Sequence, residues 1–185
     1  MKLPQLVQIT SGINNKRNPQ GSVYYLGASD FVSATQLDKL ITPSIYYSEK
    51  LEKHFLKKGD VLILSKGHHG FPAFLFNDET IKAVASSVFL VLRETVKEIL
   101  PEYVSWYINL KSTQQFLIRL SRGSALPAIN KKIVESLDIP VIPLQQQQQI
   151  IAISKLKEQE SALVQQIDIL KSLQIEKTLK ETLFI

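Results

Sequence analysis

Hydrophobic residues in the first half of the chain fall into short runs separated by polar turns, a pattern typical of β-strands. Five runs predict strands, at residues 7–13, 22–27, 61–64, 71–76 and 81–93. The polar and basic segment 14–21 is rich in turn-forming residues, so it predicts a loop. Residues 42–56 predict one short helix beside Pro43.

The apolar positions adopt a helical period in the next part of the chain. A proline suits the first position of a helix predicted over residues 101–110, and a second helix is predicted over 112–123. Asn130 is a candidate N-cap for a third, short helix. Residues 138–143 predict a brief strand whose prolines favour a sheet edge or an exit. Residues 1–144 are therefore predicted to form one α+β domain.

The segment 145–185 contains neither proline nor glycine. Its apolar residues follow the spacing of heptad a and d positions, with Glu160 and Gln174 at further a positions. The five glutamines at 145–149 are thus predicted to be the first turns of a long helix, not low-complexity filler. A helix over 145–183 would be about 58 Å long at about 1.5 Å per residue.

A helix of that length exceeds what a domain of this size can cover, so it needs a partner. We predict a coiled-coil dimer interface formed by Ile153, Leu156, Leu163, Ile167 and Leu170. The alternative is that the same side chains cover the domain of their own chain.

The composition is that of an ordinary soluble globular protein, with 44% hydrophobic and 21% charged residues. The chain has no cysteine, which excludes disulfides, cysteine-bound zinc and thiol catalysis. Its N-terminus lacks the apolar core of a secretory signal, and no apolar run approaches the roughly 20 residues needed to span a bilayer. These features predict a cytoplasmic protein without a membrane partner.

The net charge of +5 is located entirely in one part of the chain. Residues 146–185 carry five lysines and five acidic residues, whereas residues 1–145 carry 17 basic and 12 acidic side chains. A basic body joined to a charge-balanced tail indicates two different partners. Basic bodies favour polyanions.

The sequence lacks the common motifs of catalysis. It has no phosphate-binding loop, dinucleotide-binding fingerprint, nucleophile elbow, nuclease-type Glu-x-Lys or Asp-x-Lys triplet, or Asn/Asp-Pro-Pro-aromatic methyltransferase tetrad. His68 and His69 are adjacent, but a metal site needs ligands that converge from several elements. We therefore predict no metal and no cofactor, and interpret the two histidines as loop residues of a binding module.

The order of several short motifs indicates a family. GSVYYLG is followed by LKKGDVLILSKG, then LPEYVSWYINL, then RGSALPAINKKIVESLDIPVIPLQQQQQIIAI and the long helix. In this order they resemble the DNA-specificity subunits of type I restriction–modification systems. The resemblance covers nearly the whole chain, and the proline- and glutamine-rich junction is its most specific part.

The resemblance implies a non-catalytic protein. Each recognition domain of the family reads one half of a split DNA target, and the long helices act as spacer and as docking surface for adenine-methyltransferase subunits, joined by a restriction and translocase subunit in the full complex. The usual member has two recognition domains and two long helices. This sequence has one of each, so it resembles a half-subunit, for which a homodimer is expected. Gln148 stands before Gln149 where the family usually has Glu before a conserved Gln.

Candidate DNA-binding residues come from three loops and carry amide, basic, imidazole or hydroxyl groups. They are Asn14, Asn15, Lys16, Arg17, Asn18, Lys66, His68, His69, Arg122, Ser124, Asn130 and Lys131. The asparagines of the first loop could instead be turn residues, Asn130 a helix cap, and Lys131 part of a solvated helix face. Lys16 and Arg17 are expected to be solvated, so replacing both should weaken DNA binding with little effect on folding.

Two other function classes remain open on the sequence. One is a coiled-coil adaptor whose basic domain binds another protein. The other is a small enzyme without a known motif. Salt-dependent binding to random duplex DNA distinguishes the specificity subunit from the adaptor.

Overall fold

The computed structural model describes residues 1–121 and 126–183, which form two compact units, Met1–Gln147 and Gln148–Ile185. The strands are β1 Val7–Ser11, β2 Tyr24–Leu26, β3 Phe31–Ser33, β4 Gln36–Leu37, β5 Val61–Leu64, β6 Ala73–Leu75, β7 Ala83–Ala85 and β8 Phe89–Glu94. The α-helices are α1 Pro101–Asn109, α2 Lys111–Leu120, α3 Lys131–Glu135 and α4 Leu144–Leu183. Short 3₁₀ helices occupy Leu3–Gln5, Ala28–Asp30 and Glu49–His54.

The first unit is built around a four-stranded antiparallel sheet in the order β1-β8-β5-β6. Its central strands are buried on both faces, which explains their continuous apolar runs. β5 and β8 align Leu62 with Val91, and β1 and β8 align Ile9 with Leu92. β2 and β7 form a separate parallel pair, and β3 and β4 a short antiparallel one. The predicted α+β class with a long C-terminal helix is confirmed.

The prediction of one strand over 81–93 is wrong. The run forms two strands, β7 and β8, which belong to different sheets and are joined by a turn over residues 86–88. Both strands are almost wholly buried, so the apolar pattern is nearly continuous across the turn. Between Ala83 and Leu92, the serines at 86 and 87 are the only polar residues.

Two predicted helices and one predicted helix cap are present in the structure. α1 and α2 confirm the two predicted helices, and the Asn130 side chain accepts a hydrogen bond from the Ile133 N–H at 3.0 Å, which confirms the cap. Residues 138–143 do not form a strand. Asp138 makes a single β-bridge with Lys2, and the prolines at 140 and 143 lack the N–H groups that would extend a ladder.

A buried ion pair ties β5 to β8. Asp60 is 1% exposed and accepts hydrogen bonds from Nε and Nη2 of Arg93 at 2.7 and 2.6 Å, and from the Lys57 N–H at 2.8 Å. Arg93 also donates to the Phe55 carbonyl at 3.0 Å. The Asp60 carboxylate raises the pKa of Arg93 above its ordinary value. This arrangement is structural, and Gly59 and Asp60 form the turn that enters β5.

The glutamine run is helical, as predicted, because α4 begins at Leu144. Gln147 is the one glutamine of the run that is fully buried. Its Oε1 accepts from the Leu100 N–H at 2.9 Å, and its Nε2 donates to the carbonyls of Glu98 and Ile142, both at 2.8 Å. These three hydrogen bonds anchor Gln147 within the first unit, whereas Gln149 is exposed.

The apolar residues of α4 beyond the glutamines are exposed. The five predicted interface residues, Ile153, Leu156, Leu163, Ile167 and Leu170, have 48 to 67% of their surface accessible. Helix α4 confirms the predicted long helix. The dimer interface remains a prediction. Among the described residues, no helix is long and apolar enough to cross a membrane.

Candidate nucleic-acid interface

Several loops of the first unit meet at one edge of the four-stranded sheet. β1 and β5 end there, and β6 and β8 begin there. The Gly12 N–H donates to the Phe89 carbonyl at 2.9 Å, and the Ser65 N–H donates to the Val88 carbonyl at 2.7 Å. Because β8 lies between β1 and β5, their following loops start about 10 Å apart, two strand spacings.

The parallel pair β2 and β7 brings a third loop to the same edge. The Ser86 N–H donates to the Leu26 carbonyl at 2.9 Å, and the Ile13 N–H donates to the Ala85 carbonyl at 2.9 Å. Gly12 is required at this crossing, since a Cβ there would lie 2.1 Å from the Ser86 carbonyl oxygen. The ends of β1, β2 and β7 are thus packed against one another.

The loop after β5 packs against the segment before α3. The Ile129 N–H donates to the Ser65 carbonyl at 2.9 Å, and the Gly67 N–H donates to the Pro127 carbonyl at 3.1 Å. A β-bridge joins Lys66 to Ala128. We call the combined surface the loop edge, defined by residues 12–18, 27–30, 65–70, 86–88 and 127–131.

The two edges of the sheet differ in charge. The loop edge carries one acidic residue, Asp30, and four basic residues, Lys16, Arg17, Lys66 and Lys131, in addition to His68 and His69. Residues 57–60, 76–80 and 94–98 form the opposite edge and carry three lysines, Lys57, Lys58 and Lys97, against five acids, Asp60, Asp78, Glu79, Glu94 and Glu98. Part of the net positive charge of the first unit is therefore concentrated at the loop edge.

The carboxylates of the opposite edge have distinct environments. Side-chain and backbone hydrogen bonds from Thr80 lower the pKa of Asp78. Partial burial and the nearby Glu102 carboxylate raise the pKa of Glu94. Both pKa shifts arise from neighbouring groups, and neither carboxylate lies near the loop edge.

The asparagines of the first loop serve the backbone. Asn15 Oδ1 accepts from the Lys16 N–H at 2.8 Å, and Asn18 Oδ1 accepts from the Gln20 N–H at 2.9 Å. Asn14 is exposed at the start of the loop. Asn15 and Asn18 therefore stabilise the backbone of the loop through their side-chain oxygens. Their NH₂ groups remain available to an acceptor on another molecule.

Lys16 and Arg17 are both exposed, as expected, but the Arg17 guanidinium also makes hydrogen bonds within the chain. The Arg17 Nη2 atom donates to Asp30 Oδ2 and to the Tyr25 carbonyl, each at 3.0 Å. Asp30 and Tyr25 were not singled out from the sequence. A carboxylate 13 residues away offers no periodic signal, and only the fold brings it to the arginine.

The second group of candidates lies on the same edge. Lys66, His68 and His69 are exposed in the loop after β5, beside the segment that leads to Asn130. Lys131 is 3.8 Å from Glu135 across one turn of α3. Arg122 and Ser124 lie outside the described residues. Within the described part of the chain, no group of three or more potential metal-ligating side chains occurs.

Comparison with known proteins identifies the family. A family model described as the type I restriction modification DNA specificity domain matches residues 2–176. A specificity subunit of the type I restriction enzyme MjaVIII from Methanocaldococcus jannaschii is 31% identical over 98 residues, which are 53% of this chain and 22% of that subunit.

Solved structures share the fold. A chain from a structure on complex assembly and conformational transition of the type I R-M system has a TM-score of 0.63 at 22% identity, over 88% of this chain and 39% of that one. The HsdS subunit from Thermoanaerobacter tengcongensis has a TM-score of 0.60 at 19% identity, over 88% and 38%. This chain thus spans well under half the length of these relatives. It belongs to the family of type I restriction–modification DNA specificity proteins.

Proposed function

We propose that this chain is a sequence-specific DNA-binding specificity half-subunit of a type I restriction–modification complex, without catalytic activity of its own. Its loop edge reads one half of a bipartite target. α4 acts as spacer and as docking region for an adenine-methyltransferase subunit, which a restriction and translocase subunit joins in the complete complex. The observation that carries the proposal is the gathering of basic loops at one sheet edge in a chain of this family.

The dimensions and charge of the loop edge suit double-stranded DNA. Loops that start about 10 Å apart match the scale of the major groove, which is about 12 Å wide. Exposed lysines such as Lys16 and Lys66 would release counterions from the phosphate backbone. The amide, imidazole and guanidinium groups between them supply donors and acceptors for base edges.

A comparison of the two sheet edges tests the DNA-binding part. The double variant Lys16→Ala, Lys66→Ala removes two charges from the loop edge, and Lys57→Ala, Lys97→Ala removes two from the opposite edge. Binding to random duplex DNA is measured by mobility shift across a salt series. We expect the logarithmic salt slope to fall by roughly two units in the first variant and to stay unchanged in the control.

The competing function predicts a different result. Binding that does not respond to salt, or no binding even with an adenine-methyltransferase subunit present, would replace this proposal with a coiled-coil adaptor whose basic domain binds protein. Equal salt slopes in the two double variants would show that the loop edge is not the DNA interface.

We further propose that the chain forms a homodimer through α4. The a and d positions from Ile153 to Leu170, including Glu160, are separated by 3, 4, 3, 4 and 3 residues. This spacing reads the same in both directions, so two antiparallel copies can align every a position with a d position. Ile153 would face Leu170, and Leu156 would face Ile167 of the second copy.

The absence of cysteine in the sequence makes the orientation easy to test. Chains with Leu156→Cys and a size tag are mixed with untagged chains carrying Ile167→Cys, and the mixture is mildly oxidised. The antiparallel dimer yields the mixed disulfide, because positions 156 and 167 face each other. A parallel dimer yields two disulfide-linked homodimers and no mixed species, which would contradict the proposal.

A twofold dimer presents the same reading surface twice. The DNA target of a homodimer is therefore expected to be two inverted copies of one half-site around a spacer of constant length. A methylated target with two unrelated half-sites would instead indicate a second, different half-subunit.

A further inference from the structure

Arg17 differs from the other basic side chains of the loop edge because it is held from several sides. Its Nη2 donates to Asp30 Oδ2 and to the Tyr25 carbonyl, and its guanidinium lies 5.7 Å from the centroid of the Tyr25 ring. Tyr25 in turn anchors the loop. Its hydroxyl donates to the Ile13 carbonyl at 2.9 Å and accepts from the Asn15 N–H at 3.2 Å.

Asp30 is itself fixed. Its Oδ2 accepts from the Gly27 N–H at 2.7 Å, and its side chain is only 15% exposed. The Arg17 side chain remains 52% exposed and borders an open cleft with Leu40 and Thr42. In the described residues, no hydrogen bond uses Nε or Nη1 of Arg17. A donor group is thus held in place with part of its hydrogen-bonding capacity unused.

We propose that Arg17 reads a base in the DNA target and that Asp30 is the positioning residue for this contact. The inference rests on the proposed function and deepens it. The expected ligand is a single acceptor on the major-groove edge of guanine, O6 or N7, because both hydrogens of Nη2 already serve Asp30 and Tyr25 and the free donors are on Nη1 and Nε. Fixing the guanidinium before binding reduces the conformational entropy that the contact would otherwise lose.

The charge of the pair separates a base contact from a phosphate contact. Because Asp30 compensates Arg17, the pair adds little net positive charge for counterion release. Lys16, one residue away, is exposed and has no acidic partner of this kind in the described part of the chain. Lys16 therefore governs the salt dependence, and Arg17 the base preference.

The test uses the charge-neutral double variant Arg17→Met, Asp30→Asn. Bound sequences are selected from a random duplex DNA library, and binding to unselected DNA is measured across a salt series. We expect the double variant to lose a preference of roughly tenfold at one base position, while its salt slope stays that of the wild type. The matched control Lys16→Met should show the reverse, a flatter salt slope with the base preference kept.

The single variant Asp30→Ala provides a second measurement, because Asp30 Oδ2 accepts from both Arg17 Nη2 and the Gly27 N–H, and an asparagine amide oxygen would keep both bonds. It should weaken the base preference several-fold while random-DNA binding becomes as tight as in the wild type or tighter. A salt slope that falls by about one unit in the double variant would assign Arg17 to a phosphate. An unchanged base preference in both variants would also overturn the inference. Wild-type protein that does not bind duplex DNA in a salt-dependent manner would instead overturn the proposed function.

Discussion

The substitution Gln147→Leu should destabilise the first unit. Gln147 is fully buried, and its carboxamide serves three backbone groups, namely the N–H of Leu100 and the carbonyls of Glu98 and Ile142. Leucine has a similar size and a similar helix propensity, so the change removes the hydrogen bonds and leaves the helix itself little affected. The three backbone groups would then lack their side-chain partner.

The expected loss follows from the cost of unsatisfied polar groups. A buried donor or acceptor left without a partner costs about 1 to 3 kcal/mol. Glu98 is exposed and Leu100 and Ile142 are half-buried, so water can replace part of what is lost. We therefore expect the free energy of unfolding to fall by about 1 to 3 kcal/mol in total, a large share of the roughly 5 to 15 kcal/mol typical of a domain.

Urea unfolding followed by tryptophan fluorescence measures this loss, since the single tryptophan, Trp106, lies on α1 in the same unit. Gln146→Leu and Gln148→Leu are the matched controls, because both glutamines are exposed neighbours on the same helix. The controls should stay within about 0.5 kcal/mol of the wild type. If Gln147→Leu is as stable as these controls, the three hydrogen bonds do not stabilise the domain and the reasoning fails.

Three further predictions concern the helix, a carboxylate and a cap. Leu163→Glu with Ile167→Glu should convert the proposed dimer to monomer in light scattering, and wild-type protein that is monomeric at micromolar concentration, alone and with a methyltransferase subunit, would contradict the dimer. The raised pKa of Glu94 means that the folded state binds its proton more readily than the unfolded state does, so its contribution is most favourable at low pH and is lost as pH rises through the folded-state pKa. Glu94→Gln should thus gain slightly in stability relative to the wild type at neutral pH, with the difference shrinking in acid. Asn130→Ala should cost about 1 kcal/mol in urea unfolding and leave the DNA affinity at fixed salt unchanged, and a weaker affinity would show that Asn130 contacts DNA.

The long helix was predictable because its signals are local. The glutamine run, the lack of proline and glycine and the heptad spacing all lie within one continuous segment, and the helix begins at Leu144, one residue before the predicted start. The identity of the anchoring glutamine was not predictable. All five glutamines have the same side chain, and only the approach of Leu100 and Ile142 distinguishes Gln147 from its neighbours.

The prediction of one strand over 81–93 was wrong for a related reason. β7 and β8 are both buried, so the alternation of apolar and polar residues that separates neighbouring strands is lost. Whether such a run continues or turns depends on the sheets available to it. Two hydrogen bonds fix the turn at 86–88: the Ser86 N–H donates to the Leu26 carbonyl at the end of β2, and the N–H of Ser65, the residue after β5, donates to the Val88 carbonyl.

The sequence by itself determined the α+β class, the long helix and its apolar seam, the basic character of the first unit and the family resemblance. These properties follow from composition, order and spacing along the chain. Only the tertiary structure decided which loops share one edge and that Arg17, although exposed, is held by Asp30 and Tyr25. The physical reason is that strand pairing joins segments far apart in sequence, and no local pattern records which side chains it brings together.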